Sequence, residues 1–259
     1  MSEPMNYRYI DTFAIASLAQ YLGIPFDQSI TTEGGVAAGL PFFRGEGKRS
    51  RTVGPMGAND PRLLSAVVEK LRDTDYLHAF RPTAIEFLRS DTIGWYVYES
   101  DIQSTPVYIP LKGPSGTDAI PGLDALNVWV SDPLTYFADE NDRPDSYLIM
   151  AQELHFQLHD RPRYISGWSA LRYLADRLPE NGPLFWLEFQ TSENEQANPE
   201  SLEHPIDRLK KLPGSIVQNR RRIETLYRIR HVTEGRNIIR EGRRAPVEEV
   251  LAYPLYIAE

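Results

Sequence analysis

A chain of 259 residues lies at the upper end of the range that one hydrophobic core organises, so its length predicts one domain, or one domain with an appended piece. Hydrophobic residues make up 41% of the chain and charged residues 25%, which is enough apolar surface to offset the conformational entropy lost on folding. The sequence contains no Cys, which excludes disulfides, zinc-thiolate clusters and cysteine nucleophiles.

The first predicted elements are a short strand and a helix. Residues 7–10 alternate like a strand, Asp11 or Thr12 caps a helix that runs through Leu22, and Gly23 ends it. The apolar part of this helix is interrupted by polar residues, so it predicts neither a signal peptide nor a membrane span. We therefore expect a cytoplasmic protein.

The opening Tyr9-Ile10-Asp11-Thr12, followed by Ser17-Leu18-Ala19-Gln20 and then by a glycine-rich segment, resembles the start of a family of uncharacterised bacterial proteins. The resemblance covers less than a fifth of the chain. It implies a bacterial protein, and it implies no activity that could be assigned to particular residues.

Residues 31–58 are predicted to form a glycine-rich loop that carries the basic residues Lys48, Arg49 and Arg51. Seven of the 17 Gly lie in this segment, a density that excludes an ordinary helix or central strand. Gly45 to Ser50 invites comparison with a phosphate-binding loop, but the required first Gly is missing and an Arg stands where Ser or Thr would bind magnesium. We expect a surface loop, or an arm that becomes ordered on a partner.

The middle of the chain predicts helices and strands in alternation. Asn59 or Asp60 followed by Pro61 predicts the start of a helix that ends near Asp73. The predicted strands are residues 94–99, 106–111, 125–130 and 184–189, and a third helix is predicted over 169–178. Together these elements predict an α+β fold with a mostly antiparallel sheet and flanking helices.

The carboxyl-terminal part differs from the rest in charge. We expect an α+β core over 1–190, a polar linker or long loop over 191–206, and a basic section over 207–259 that packs on the core. From Arg208 to Arg244 the chain has 12 basic and three acidic residues, a charge of +9, whereas the whole chain carries −8. Such asymmetry is typical of proteins with an anionic partner.

The basic section predicts a non-catalytic binding or interaction protein without a cofactor, whose partner is a nucleic acid or an acidic protein. Such a protein is expected to act as a subunit of a larger complex. Arginine binds phosphate through its planar bidentate guanidinium group and also stacks on bases. Such a surface requires guanidinium groups that face outward together and are not neutralised by the chain's own acids. The predicted binding residues are Arg220, Arg221, Arg222, Arg228, Arg230, Arg236, Arg240, Arg243 and Arg244, joined by Lys48, Arg49 and Arg51.

The alternative function is a metal-dependent hydrolase or nuclease. Asp145, followed by Glu188 on a predicted strand, is similar to nucleases that pair an Asp with a Glu-x-Lys strand, where two carboxylates hold magnesium for phosphodiester attack. Gln190 stands in place of the Lys. The candidate catalytic residues on this reading are Asp145, Glu188 and Gln190.

A second set of metal-type ligands is Glu153, His155 and His159. A helix would place the two His about 6 Å apart, close enough to share a metal ion, whereas a strand would separate them by about 13 Å. The alternation of apolar residues over 154–158 favours a strand. We therefore predict no metal site here, since zinc sites have three or four ligands.

Overall fold

The computed structural model describes residues 6–26, 60–74, 76–78, 96–111, 123–134, 145–158, 161–175, 204–232, 236–240 and 243–259. The helices in these ranges are α1 (Thr12–Tyr21), α2 (Pro61–Arg72), α3 (Gly167–Ala175) and α4 (Pro205–Lys210). The strands are β1 (Tyr7–Ile10), β2 (Leu77–His78), β3 (Tyr96–Pro110), β4 (Ala125–Ser131), β5 (Asp145–Ala151), β6 (Leu154–Leu158), β7 (Arg161–Ile165), β8 (Ile216–Val217), β9 (Arg221–Val232), β10 (Arg236–Arg240) and β11 (Arg243–Ala258). None of the described helices has the length and apolar character needed to cross a bilayer.

The first two helices begin where the sequence supplies a capping side chain. The Asp11 carboxylate accepts a hydrogen bond from the backbone N–H of Ala14 at 2.8 Å, and the Asp60 carboxylate accepts one from the backbone N–H of Arg62 at 2.9 Å. Each bond satisfies a backbone donor that has no partner inside the helix. Gly23 follows α1 with a φ of 69°. The predictions for β1, α1 and α2 are confirmed.

The predicted strands 94–99 and 106–111 are parts of a single strand, β3, of 15 residues. Asp101 has a φ of 73°, and the pairing with β9 shifts register between Glu99 and Ile102, which marks a β-bulge. The first part of β3 pairs with β9, and its last part pairs with β4. The prediction of two strands is wrong because the bulge lets the chain continue as one bent strand through its polar middle.

Five strands close into a barrel. Around the ring, β3 pairs with β4, β4 with β5, β5 with β11, β11 with β9, and β9 again with β3. The β5–β11 ladder is parallel and the other four are antiparallel. The predicted mixture of helix and strand with a mostly antiparallel sheet is confirmed. The predicted arrangement of a sheet flanked by helices is wrong, because the sheet closes on itself into a barrel and so pairs the edges that an open sheet would leave.

The barrel shares its strand order with the OB-fold, a five-stranded Greek-key barrel. In chain order its strands are β3, β4, β5, β9 and β11, with the third and fifth parallel, so β10 lies in the connection between the fourth and fifth. OB-folds bind ligands on the outer face of the second and third strands. Here the apolar residues of that face, such as Val128 and Ile149, pack against Trp168 of α3 and Leu209 of α4. The likeness is therefore one of strand order, and that face is covered.

The two sides of the barrel wall carry different apolar clusters. One cluster has members from all five barrel strands and fills the interior; it includes Val97, Trp129, Leu148, Ile223 and Val250. On the outside, α1 and α2 pack against residues of β9 and β11. Because successive side chains of a strand point to opposite faces, each strand contributes residues both to the interior and to the outer contacts.

Replacing Ile223 with Ala tests the assignment of this residue to the barrel interior. Ile223 is 2% exposed, and we expect the free energy of unfolding to fall by about 2–5 kcal/mol because the lost methylene groups leave a cavity. Ile216→Ala, the same change at a position of β8 that is 58% exposed, is expected to alter it by less than about 0.5 kcal/mol. Urea denaturation measures both variants, and equal losses would contradict the assignment.

Candidate functional site

Three of the predicted binding arginines lie at the start of β9 and form ion pairs with acids of the same chain. The pairs are Arg220 with Asp132, Arg221 with Glu259, and Arg222 with Asp101. The expectation that these guanidinium groups are left unneutralised is therefore wrong at these positions. The side chains of Arg220 and Arg222 nevertheless remain 58% and 69% exposed, and ion pairs this exposed contribute only about 0–1 kcal/mol.

The next two predicted arginines lie further along β9 and differ in exposure. Strand alternation directs Tyr227 and Ile229 into the interior cluster, so Arg228 and Arg230 face the outside of the barrel. Arg230 is exposed, whereas Arg228 is half-buried and lines a pocket. Arg228 is therefore set apart from the exposed arginines of β9.

The last four predicted arginines lie on a two-stranded ribbon made by β10 and the first residues of β11. Its register places Arg240 opposite Arg243, Ile239 opposite Arg244, and Arg236 opposite Val247. Within the described residues β10 pairs only with β11, and the ladder between β11 and β5 begins at Val247. We call residues 236–240 and 243–246 the arginine ribbon; it extends beyond the ring of five barrel strands.

Several predicted sites lie outside the described residues. These are the glycine-rich loop with Lys48, Arg49 and Arg51, the candidate catalytic residues Glu188 and Gln190, the candidate ligand His159, and residues 191–203 of the predicted linker. Asp145 begins β5, opposite Val247 in the register. The metal-dependent hydrolase therefore stays a prediction.

The remaining candidate metal ligands, Glu153 and His155, belong to the described part of the chain. His155 lies on β6, so the prediction of a strand at this position is confirmed. In the ranges that the structure describes, no three His, Asp or Glu side chains are grouped as metal ligands.

A cavity of about 330 Å³ lies outside the barrel, between α1, the β6–β7 hairpin, β9 and β11. Its polar and aromatic lining comes from parts of the chain that are far apart in sequence. These residues are Asp11, Phe13, Tyr96, Glu153, His155, Tyr164, Arg228 and Tyr253. A concave site with a few convergent polar groups is the usual form of a small-molecule site.

Glu153 is the most unusual group in this cavity, because it is 8% exposed and lacks a good partner. Neither carboxylate oxygen makes a hydrogen bond of normal geometry within the described structure. Burial raises the pKa of Glu153 to about 7, and the effects of the neighbouring Tyr164 phenol, which lowers it, and of Asp11, which raises it, are smaller. The backbone N–H of Glu153 donates to the Tyr9 hydroxyl at 3.1 Å, which fixes its position beside β1.

Asp11 is also buried, but its charge is compensated. Its carboxylate caps α1, and its Oδ1 lies 3.5 Å from Nε2 of His155. The His155 ring lies between Phe13 and Tyr164, with ring centroids 5.1 and 5.2 Å apart. These rings form one wall of the cavity and orient the imidazole towards the helix start.

Arg228 supplies the permanent positive charge of the cavity. Its guanidinium carbon lies 5.6 Å from the centre of the Tyr253 ring, and it lies close enough to the Tyr96 hydroxyl to lower the pKa of that phenol against the rise that burial causes. It makes no ion pair with any carboxylate that the structure describes. The cavity therefore combines a fixed cation with an acid that titrates near neutrality.

Sequence reasoning named three residues of this site. It considered Glu153 and His155 as metal ligands but predicted no metal site, and it grouped Arg228 with the other arginines as a predicted binding residue. It found Asp11 only as a helix cap, although the same carboxylate lines the cavity. No local signal marks Tyr164 or Tyr253, whose place in the site depends on long-range pairing.

No family model, no curated protein and no solved structure matches this chain. Its function must therefore be argued from its own residues.

Replacing Glu153 with Gln tests the burial of this acid. The folded state holds the proton of Glu153 more tightly than the unfolded chain, where its pKa is near 4.5, so the stability of the native protein falls as the pH rises from about 4.5 to about 7. The Glu153→Gln variant has no ionisable group at this position, so its stability does not fall for this reason. From pH 5 to pH 8 we expect its free energy of unfolding to improve relative to the native protein by about 2–3 kcal/mol.

Denaturant unfolding at the two pH values measures this difference. Glu69→Gln, at an exposed position of α2, is the matched control and should follow the native protein at both pH values. A Glu153→Gln variant with the pH dependence of the native protein would show that this acid is not held protonated.

Proposed function

We propose that the protein binds single-stranded nucleic acid through the arginine ribbon, with the exposed arginines of β9 as secondary contacts. The observation that carries the proposal is the placement of Arg236, Arg240, Arg243 and Arg244 on a two-stranded extension of the barrel. Arginine binds phosphates bidentately and remains charged at every physiological pH.

The charge distribution supports a polyanionic partner. The whole chain carries −8, yet the section from Arg208 to Arg244 holds 12 basic and three acidic residues. The ion pairs of Arg220 and Arg222 are exposed and therefore weak, so a phosphate competes with the carboxylate partners on nearly equal terms. Electrostatic attraction of this kind favours binding that weakens steeply with salt.

The strand order of the barrel favours nucleic acid over an acidic protein. In OB-folds the connection between the fourth and fifth strands takes part in binding oligonucleotides, and the arginine ribbon occupies that connection here. This support is an analogy of fold and not of sequence. Because the outer face of β4 and β5 is covered, phosphate contacts from the ribbon should dominate over base stacking.

Reversing the charges of Arg240, Arg243 and Arg244 to Glu tests this proposal. We expect the variant to bind a fluorescent single-stranded oligonucleotide at least tenfold more weakly at low salt. The slope of log affinity against log salt concentration should lose about 2 in magnitude, since each phosphate contact to a single strand contributes about 0.7. Fluorescence anisotropy over a salt series measures both quantities.

The matched control reverses three exposed lysines outside the ribbon, Lys70, Lys210 and Lys211, which changes the net charge by the same amount. It should retain most of the affinity and the slope. Native protein that binds no oligonucleotide at low salt, or equal losses in the two triple variants, would contradict a nucleic-acid site on the ribbon.

A further inference from the structure

Glu153 and Arg228 line the same cavity and act on each other electrostatically without making contact. Arg228 lowers the pKa of Glu153, yet no ion pair within 4.0 Å joins the two side chains. Glu153 is more than nine-tenths buried, and the Tyr164 hydroxyl lies close enough to lower its pKa, but neither carboxylate oxygen makes a hydrogen bond of normal geometry in the described structure. Buried polar atoms of native proteins are almost always hydrogen-bonded, so this pair is incomplete without a further group.

We propose that the cavity binds a small aromatic monocarboxylate, whose carboxylate group lies between the Arg228 guanidinium and a protonated Glu153. Arg228 donates hydrogen bonds to the ligand carboxylate, and the carboxyl O–H of Glu153 donates another. The ligand thereby joins the two groups that the empty protein leaves apart. This site is separate from the arginine ribbon, so the test of this proposal does not depend on nucleic-acid binding.

The charges of the cavity favour an anion over a cation. Arg228 cannot lose its charge, so an ammonium ligand would always lie beside a like charge. Glu153 can adapt, because its pKa of about 7 lets it take up a proton near neutral pH at little cost in free energy. Asp11, the other acid of the cavity, is already engaged by the start of α1 and by His155. The carboxylate of a ligand would therefore contact the Arg228 guanidinium, which is always charged, and the protonated carboxyl group of Glu153, which can donate a hydrogen bond.

The remaining lining favours an aromatic body of modest size. The rings of Phe13, Tyr96, Tyr164 and Tyr253 surround the cavity, and Leu18, Pro254 and Leu255 complete its apolar part. Aromatic rings prefer offset or edge-to-face contacts with one another. The volume of about 330 Å³ lies at the low end of ligand sites, which suits a ligand with a single ring.

Several ionisable groups line the cavity or lie beside Glu153. These groups are Tyr9 from β1, Asp11 at the start of α1, Tyr96 from β3, His155 from β6, Tyr164 from β7, Arg228 from β9 and Tyr253 from β11. Of these, the imidazole of His155 lies beside the Asp11 carboxylate. A test must therefore separate the proton on Glu153 from a proton on His155.

Isothermal titration calorimetry with benzoate, and with benzamide and benzylamine as neutral and cationic analogues, provides the test. We expect the native protein to prefer benzoate to both analogues. Its benzoate affinity should be about tenfold weaker at pH 8 than at pH 6, because only the protonated fraction of Glu153 is competent to bind. Titrations in buffers of different ionisation enthalpy should show uptake of up to one proton at pH 8.

Two variants assign the effect to named side chains. Glu153→Gln keeps a hydrogen-bond donor without a titrating proton, so it should bind benzoate with an affinity that no longer depends on pH. Arg228→Gln should lose at least tenfold in affinity at every pH, whereas Arg163→Gln, the same change at an exposed position of β7, should not. Thermal unfolding of each variant confirms that it is folded.

Three results would overturn the proposal. They are a preference of the native protein for benzylamine or benzamide, an absence of benzoate binding, and a pH dependence that persists in the Glu153→Gln variant. The last result would assign the pH dependence to a group other than Glu153. The native protein alone decides the first two, so the proposal remains testable even if a variant does not fold.

Discussion

The pairing of the last strand, β11, with four other strands holds the molecule together. It forms ladders with β5 and β9 inside the ring, and with β1 and β10 on the continuations of the same two edges. Without β11, β5 and β9 would each have a free edge and the barrel would be open. Long-range pairing of this kind costs loop-closure entropy before the stabilising contacts form. The carboxyl-terminal residues are thus part of the core, and all but the last residue of 249–259 are buried.

This closure also assembles the cavity. Docking of β1 against the end of β11 places Asp11 and α1 beside Tyr253, while the turn after β5 brings Glu153 to the Tyr9 hydroxyl. Glu153 is buried where it joins β1 through Tyr9, and its raised pKa follows from that burial. The chemistry of the site therefore depends on tertiary structure, because no single segment of the sequence contains its residues.

The sequence predicts those elements whose signals are local. Asp11 and Asp60 cap their helices because a short acceptor side chain at that position satisfies a free backbone N–H, whatever the rest of the fold does. The alternation of residues 154–158 correctly predicts a strand, because this pattern is also local. The continuity of β3 through the bulge at Asp101, the parallel β5–β11 ladder and the closure of the ring depend on partners far away in the chain, and no local pattern encodes them.

The arginines show how one residue type acquires separate roles from strand geometry alone. Within β9, alternation with the interior residues Tyr227 and Ile229 turns Arg228 to the outer wall, where the rings of Tyr96 and Tyr253 enclose it. At the start of the same strand, Arg220 and Arg222 reach water and meet nearby acids. Beyond the ring, no third strand within the described residues flanks the ribbon that carries Arg240 and Arg243. A charge count along the sequence sums these positions, whereas the fold places Arg228 in a cavity, Arg220 and Arg222 on an exposed edge, and Arg240 and Arg243 on a ribbon beyond the ring.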